Sequence, residues 1–120
     1  MRRWAKWVLV FLGSTVTTIT SAGSNHAFLT AGQLLQYCIS QDQRSLAFCE
    51  GYILGINDTI VAGYLNDQIG ICYPKGLKPS DLRVAVVEYL AKDTALQTYI
   101  AEGPIAEALS FKYPCENPPK

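Results

Sequence analysis

The residues of this sequence best suited to chemistry are its four cysteines: Cys38, Cys49, Cys72 and Cys115. A free cysteine can act as a nucleophile, four together can hold a zinc ion, and pairs can form disulfides. Zinc sites built on four cysteines usually include two that are a few residues apart, and no two of these lie that close. The even number is typical of a small exported domain, so we predict two disulfides formed in an oxidising compartment.

Acid–base chemistry has few candidates. His26 is the only histidine and lies in or beside a predicted export signal, so a cut after residue 26 or 27 leaves the mature domain without one. Without histidine, and with every cysteine paired, the usual nucleophile–base pairs cannot form. Glu50 and Asp58 are two turns apart on a predicted helix, but a glycosidase-like carboxylate pair needs a cleft, which a packed helix does not offer. We therefore predict that the protein is not an enzyme and uses no cofactor or metal.

Asp58 needs an explanation because it lies in line with apolar residues of its predicted helix. It could serve acid–base chemistry or contact a partner. A buried carboxylate requires a hydrogen-bonding partner, so we favour a structural role in which Arg83 or a tyrosine hydroxyl is the donor.

Residues 1–27 have the parts of a secretory signal peptide. Basic residues open the segment, an apolar run follows, and small residues complete it, which predicts cleavage somewhere in 22–27. Threonines interrupt the apolar run well short of the ~20 residues that a membrane span needs. We expect export to the periplasm, with residues 28–120 forming one helical domain that has no membrane contact in its mature form.

The charge balance changes when the signal is removed. The 120-residue chain has 10 lysine and arginine residues and 10 aspartate and glutamate residues, a net charge of zero. Three of the basic residues lie in the signal, so residues 28–120 carry seven basic against ten acidic residues, a net charge of −3. An acidic domain is a poor ligand for nucleic acid, and an apolar content of 49 % excludes a disordered chain.

The elements that must position these residues are helices. Apolar periodicity predicts helices over residues 31–40 and 44–65, from residue 79 onward, and over 94–112. Proline lacks an amide hydrogen, so we expect the last helix to break at Gly103-Pro104, with Pro104 opening a second short helix. The predicted fold is all-α, a small bundle of four to five helices.

Local signals mark the starts of two helices. Thr30 and Gln33 have the spacing of a capping box, which predicts the first helical start. Pro79 and Asp81 place a proline and a negative charge in a first turn, where both are favoured.

The second predicted helix is apolar on almost every side, which is typical of the central helix of a bundle. Within it, Gly51 and Gly55 form a G-x-x-x-G pattern. Each glycine lowers helix stability by about 1 kcal/mol and needs a packing reason. We expect another helix to cross closely at this point.

Chain direction selects one disulfide pairing. A short turn makes the first two helices antiparallel, which brings Cys38 near Cys49. Cys72 follows the far end of the second helix, roughly 25 Å from Cys49, and the last helix should return Cys115 to that end. Because a disulfide needs Cα atoms about 4.4–6.8 Å apart, we predict the pairs Cys38–Cys49 and Cys72–Cys115.

Two surface regions are candidates for contacts with a partner or a second copy. Tyr73 and Lys75 lie in the loop after Cys72, and tyrosine is favoured at protein interfaces. Val84 and Val87 belong to a second apolar stripe on the third helix, which a small domain has difficulty burying. A symmetric dimer would cover this stripe, so we expect a homodimer.

Several motifs occur together in the predicted domain: Cys38, the C-x-G-Y-x-x-G-x-x-D pattern of Cys49–Asp58, Cys72–Leu77, Leu82–Leu90, Ala108-Leu109 and Phe111–Cys115. With this set, residues 29–115 resemble the Tai/Rap family of type VI secretion amidase immunity proteins. Lys78 departs from the family pattern, which usually has threonine or serine as a helix cap there.

The resemblance implies an all-α periplasmic domain with two disulfides, often a homodimer, that binds a cognate peptidoglycan amidase and blocks its active-site cleft. It implies scaffold roles for Gly51, Tyr52, Gly55, Asp58 and the four cysteines, and it assigns no inhibitory contacts. Two other hypotheses are a disulfide-bonded periplasmic chaperone of the acid-stress type and a helical module that binds a small molecule in a closed apolar cavity.

Overall fold

A computed structural model describes residues 28–64 and 69–116 of the chain. The helices are α1 (Ala31–Cys38), α2 (Gln43–Thr59), α3 (Pro79–Lys92) and α4 (Glu102–Lys112), with a π-helical segment (Ile60–Tyr64) after α2 and a 3₁₀ helix (Thr94–Thr98) before α4. Isolated bridges join Thr30 to Ile100 and Ile71 to Pro114. The predicted all-α bundle is confirmed. The predicted signal peptide lies outside the described residues.

Helix α1 begins with the predicted capping box. The Gln33 amide donates to Thr30 Oγ1 at 3.2 Å, and the Thr30 amide donates to Gln33 Oε1 at 2.9 Å. These two bonds satisfy amides that have no partner within the helix. The inner side of α1, including Leu34 and Leu35, is buried in the core.

Helix α2 is not buried on every side as its apolar composition predicted. It packs against α1, α3 and α4, yet only Cys49 and Ile53 of this helix are fully buried. Phe48 is 47 % exposed, and Val61 in the π-helical segment is 52 % exposed. The prediction of a fully surrounded central helix is therefore wrong, because the neighbouring helices cover only one side of it.

The predicted end of the second helix at residue 65 lies outside the described residues. The π-helical segment continues the helix, and Gly63 within it has a φ of 102°. A left-handed conformation of this kind is the usual way for glycine to end a helix.

Helix α3 starts at Pro79, as predicted, although Lys78 takes the cap position. A lysine ammonium cannot accept a hydrogen bond, so Lys78 cannot cap the helix with its side chain. Instead the Asp81 carboxylate accepts from the Lys78 amide at 2.8 Å. Proline at the first position needs no amide partner, so this start is satisfied without the family's usual threonine or serine.

The break in the last predicted helix lies before Gly103-Pro104 rather than at it. The backbone on either side of Ile100 pairs with the segment before α1, through Ala31 N–H to the Tyr99 carbonyl at 2.8 Å and Ala101 N–H to the Leu29 carbonyl at 3.1 Å. Helix α4 then starts at Glu102 and includes Pro104 in its first turn. Proline is tolerated there because first-turn amides have no partner within the helix.

Both predicted disulfides are confirmed. Cys38 and Cys49 are joined with their Cα atoms 5.2 Å apart, and Cys72 and Cys115 with theirs 4.9 Å apart. The first bond lies in the core beside the fully buried side chains of all four helices, among them Leu34, Ile53, Val86, Leu90, Ile105 and Leu109. The second bond lies outside the core, where Cys72 is exposed.

The glycines of the G-x-x-x-G pattern are not at a helix crossing within the domain. Both Gly51 and Gly55 are exposed, and a Cβ added at either would meet no atom of the described residues within 4 Å. The predicted close crossing is therefore wrong for the single chain. Their spacing has no packing explanation among the described residues of one copy.

The two glycines give a testable prediction. Gly51→Ala and Gly55→Ala should each raise the free energy of unfolding by up to about 1 kcal/mol in dilute protein, because alanine is the better helix former and the added methyl group has free space. Urea denaturation measures the change. Gly32→Ala is the matched control and should destabilise, since its Cβ would lie 3.0 Å from the Gln97 carbonyl oxygen. A loss at Gly51 or Gly55 as large as that at Gly32 would contradict the placement.

Candidate binding surface

The loop between Cys72 and Lys78 is fixed at its first end by covalent and hydrogen bonds. The Cys72–Cys115 disulfide ties it to the segment after α4. The Cys72 amide donates to the Tyr113 carbonyl at 2.9 Å, and the Cys115 amide donates to the Gly70 carbonyl at 3.3 Å. These bonds hold the start of the loop against the C-terminal end of α4.

The other end of the loop is fixed by the start of α3. The Asp81 carboxylate holds the Lys78 amide, and Gly76 turns the chain with a φ of 80°. Between the two ends, Pro74, Lys75 and Gly76 are exposed. The loop thus presents a short segment with a lysine at its centre and little conformational freedom at either end.

Tyr73 supports this loop from within. Its ring packs edge-on against Tyr113 with the ring centres 5.3 Å apart, and its hydroxyl is buried with no hydrogen-bond partner among the described residues. Burial, and next the neighbouring Tyr113, raise the pKa of Tyr73 to about 12. Of the two loop residues predicted to contact a partner, Lys75 is therefore the accessible one and Tyr73 is half-buried.

Val84 and Val87, which were also predicted to contact a partner, differ in their exposure. Val84 is 43 % exposed, whereas Val87 is half-buried and packs against the core. The second stripe of α3 is therefore only partly available to a partner.

An open groove of about 540 Å³ lies at the other end of α4 and was not predicted from the sequence. It is lined by Leu96, Tyr99, Ile100, Glu102, Gly103, Pro104 and Glu107. Tyr99 and Ile100 are 62 % and 55 % exposed. Between Lys92 and Lys112 the chain has three acidic residues and no basic one, so the surroundings of the groove are acidic. The adjacent apolar residues Tyr99 and Ile100 at the helix break were the sequence signal that could have indicated this groove.

The acidic side chains do not assemble as the sequence predicted. Asp58 is exposed, and its Oδ1 accepts a hydrogen bond from the side-chain amide of the neighbouring Asn57 at 3.3 Å. Arg83 instead pairs with Glu50 at 3.0 Å and donates to the Cys38 carbonyl at 3.4 Å. Of the two donors predicted for Asp58, Arg83 is therefore wrong, and the ion pair that joins α2, α3 and the end of α1 is Arg83–Glu50.

The described residues contain no group of three or more histidine, cysteine, aspartate or glutamate side chains that could hold a metal ion. None of the helices in residues 28–64 and 69–116 is long and apolar enough to cross a membrane.

A protein-family model described as Rap1a immunity proteins matches residues 30–115, which is well over half of the chain. The match includes every described helix, both disulfides and the Cys72–Lys78 loop. No curated protein and no solved structure matches the chain.

The burial of Tyr73 makes stability depend on alkaline pH. A folded-state pKa of about 12 against ~10 in the unfolded chain favours the neutral phenol in the folded protein. This contribution is present below about pH 10 and is lost as the pH rises toward 12. Tyr73→Phe should match or exceed wild-type stability at pH 7 and lose less between pH 7 and 11, as measured by urea denaturation. A clear loss at pH 7 would instead reveal a hydrogen-bond partner for the hydroxyl.

The two disulfides should differ in their rate of reduction. A reductant must reach a sulfur atom to open the bond, and Cys72 is exposed whereas Cys38 and Cys49 are buried. Brief treatment of the native protein with a mild reductant, followed by alkylation and mass spectrometry, should label Cys72 and Cys115 first. Labelling of Cys38 and Cys49 at an equal or greater rate would contradict this order.

Proposed function

The chain belongs to the Rap1a immunity protein family, and from this premise we propose that it binds a type VI secreted peptidoglycan amidase and blocks its active-site cleft. Family membership indicates an immunity role toward an effector protein, and the amidase is the finer part of the proposal. The protein would protect its own cell by occupying the cleft rather than by catalysis. No cofactor is needed for such a mechanism.

The single observation that carries this proposal beyond the family is the shape of the Cys72–Lys78 loop. An inhibitor that fills a cleft needs an exposed segment that keeps its conformation, since ordering a flexible loop on binding reduces affinity. Here a disulfide and a helix start hold the two ends, while Lys75 and its neighbours remain exposed. We assign the main contact with the amidase to this loop.

The net charge of residues 28–120 supports a role in association. A charge of −3 would attract the protein from a distance to basic surface of the amidase outside the cleft, and such attraction mainly raises the association rate. The acidic groove contributes to this field from the N-terminal end of α4. The groove and the loop lie at opposite ends of that helix, about 15 Å apart.

Localisation follows from the disulfides and the family, which indicate a periplasmic or secreted protein. We propose that residues 1–27 are the cleaved export signal and that the mature protein starts within residues 23–28. N-terminal sequencing of protein from the periplasmic fraction tests this part of the proposal. We also propose that the mature protein is a homodimer, which the exposed apolar side chains of Phe48 on α2 and Val84 on α3 support.

A second candidate function is a periplasmic chaperone, and the exposed apolar groove with Tyr99 and Ile100 favours it. Such a chaperone would prevent the aggregation of several unrelated unfolded proteins, with its greatest effect at strongly acidic pH. An immunity protein would have no such breadth.

The test of the proposed function is inhibition of a secreted amidase encoded beside this chain. The oxidised mature protein should abolish hydrolysis of purified peptidoglycan at a one-to-one ratio of binding sites. Lys75→Glu should weaken the inhibition at least tenfold, because it reverses the charge of the central exposed loop residue.

The matched control is Lys92→Glu, which makes the same charge reversal at the far end of α3, about 20 Å from the loop. It should inhibit as the wild type does. If Lys75→Glu and Lys92→Glu weakened the inhibition equally, the Cys72–Lys78 loop would not be the contact with the amidase. Full amidase activity in the presence of oxidised wild-type protein would overturn the proposed function, and broad suppression of aggregation would then favour the chaperone.

A further inference from the structure

The side of α2 that faces away from the core has a regular composition. Residues spaced alternately four and three apart lie along one side of a helix. On α2 this spacing connects the residues of what we call the outer α2 face: Arg44, Phe48, Gly51, Gly55 and Asp58. All five are exposed, and they lie opposite the buried Cys49 and Ile53.

Nothing among residues 28–64 and 69–116 of one copy explains this face. Two glycines in the middle of a helix lower its stability, and no neighbouring atom occupies the space beside them. Phe48 is half-exposed at their edge, with its ring centre 4.7 Å from that of Tyr37 and 6.2 Å from that of Tyr52. The face therefore combines an aromatic ridge and a shallow groove on the same helix.

The face is complementary to itself when two copies are placed antiparallel. A two-fold axis close to Gly51 puts Arg44 opposite Asp58 of the second copy, because the two residues are equally far from Gly51 along the helix. The same axis puts Phe48 opposite Gly55 of the second copy. Each copy then supplies the ridge for the other's groove and the opposite charge for each end.

We propose that the protein forms a two-fold homodimer in which the outer α2 faces pack antiparallel, with Phe48 in the groove at Gly55 and Arg44 paired with Asp58 across the interface. The inference rests on the homodimer of the proposed function and adds the face, the direction and the register. A second copy is the favoured occupant because its charges match at both ends of the face. An unrelated partner would have no reason to require oppositely charged residues at equal distances from Gly51.

The α3 stripe is a weaker alternative for the same interface. Val84 of that stripe is 43 % exposed, but Val87 packs against its own core. The adjacent Arg83 is already paired with Glu50 within the chain. We therefore place the dimer on α2 rather than on α3.

The test is a charge-reversal pair measured by sedimentation equilibrium on the oxidised mature protein without amidase. Arg44→Glu and Asp58→Arg should each raise the dimer dissociation constant at least tenfold, because each places like charges opposite one another twice in the symmetric interface. The double variant should return the constant to within a few-fold of wild type. Glu102→Arg is the matched control away from the face and should leave the constant unchanged.

A steric variant tests the groove independently of charge. Gly55→Leu should leave the monomer folded by circular dichroism, since the space around Gly55 is open, yet it should abolish the dimer. Gly55→Ala should weaken the dimer less, because its methyl group fills only part of the groove.

The outcomes separate this inference from the proposed function. A wild-type dimer that none of these substitutions weakens would overturn the α2 interface while leaving the homodimer on another face. A wild-type protein that stays monomeric at every concentration would overturn both the interface and the homodimer. Neither result bears on amidase inhibition, which is measured separately, and loss of inhibition in Arg44→Glu with a monomeric wild type would assign the face to the amidase instead.

Discussion

The Cys72–Cys115 disulfide fixes a part of the surface, residues 71–78 and 113–115, that the packing of the helices does not fix. Residues 71–78 and 113–115 contribute one fully buried apolar side chain, Ile71, so packing alone supplies little to keep them in place. The disulfide, with the two backbone hydrogen bonds beside it, joins the loop to the end of α4. The exposed position of Lys75 depends on this cross-link, and so does the proposed mode of inhibition.

The other cross-link acts where the core is already formed. Cys38–Cys49 fastens the α1–α2 turn, and Arg83 reaches the same place by pairing with Glu50 and the Cys38 carbonyl. Three helices are thus joined at one end of a small core. Because the core is small, α2 is covered on one side only, which leaves Phe48, Gly51 and Gly55 exposed. The same scarcity of covering elements leaves Tyr99 and Ile100 at the open groove.

Features determined by neighbours in the chain could be predicted from the sequence. The Thr30–Gln33 capping box, the start of α3 at Pro79 and the two disulfide pairs follow from local spacing and helix direction.

Features determined by residues distant in the sequence could not be predicted. Periodicity identifies an apolar side but not what covers it, so α2 was expected to be surrounded and Gly51 and Gly55 to be crossed. The prediction of Arg83 or a tyrosine hydroxyl as the donor to Asp58 fails at Arg83 for the same reason, since the relative rotation of α2 and α3 decides which carboxylate Arg83 reaches. The helix break was misplaced because backbone pairing of residues 99–101 with residues 29–31 outweighs the local effect of Pro104.

The dependence on disulfides also determines where the protein can act. In a reducing compartment neither cross-link persists, so the Cys72–Lys78 loop would lose its attachment to the end of α4. A loop freed at one end must be ordered again on binding, which reduces its affinity for a cleft. Binding would therefore be strongest after export, in the compartment where a peptidoglycan amidase meets its substrate. The buried Cys38–Cys49 bond and the more exposed Cys72–Cys115 bond then have separate roles: the first holds the helices together, and the second keeps the loop in the conformation that the proposed binding requires.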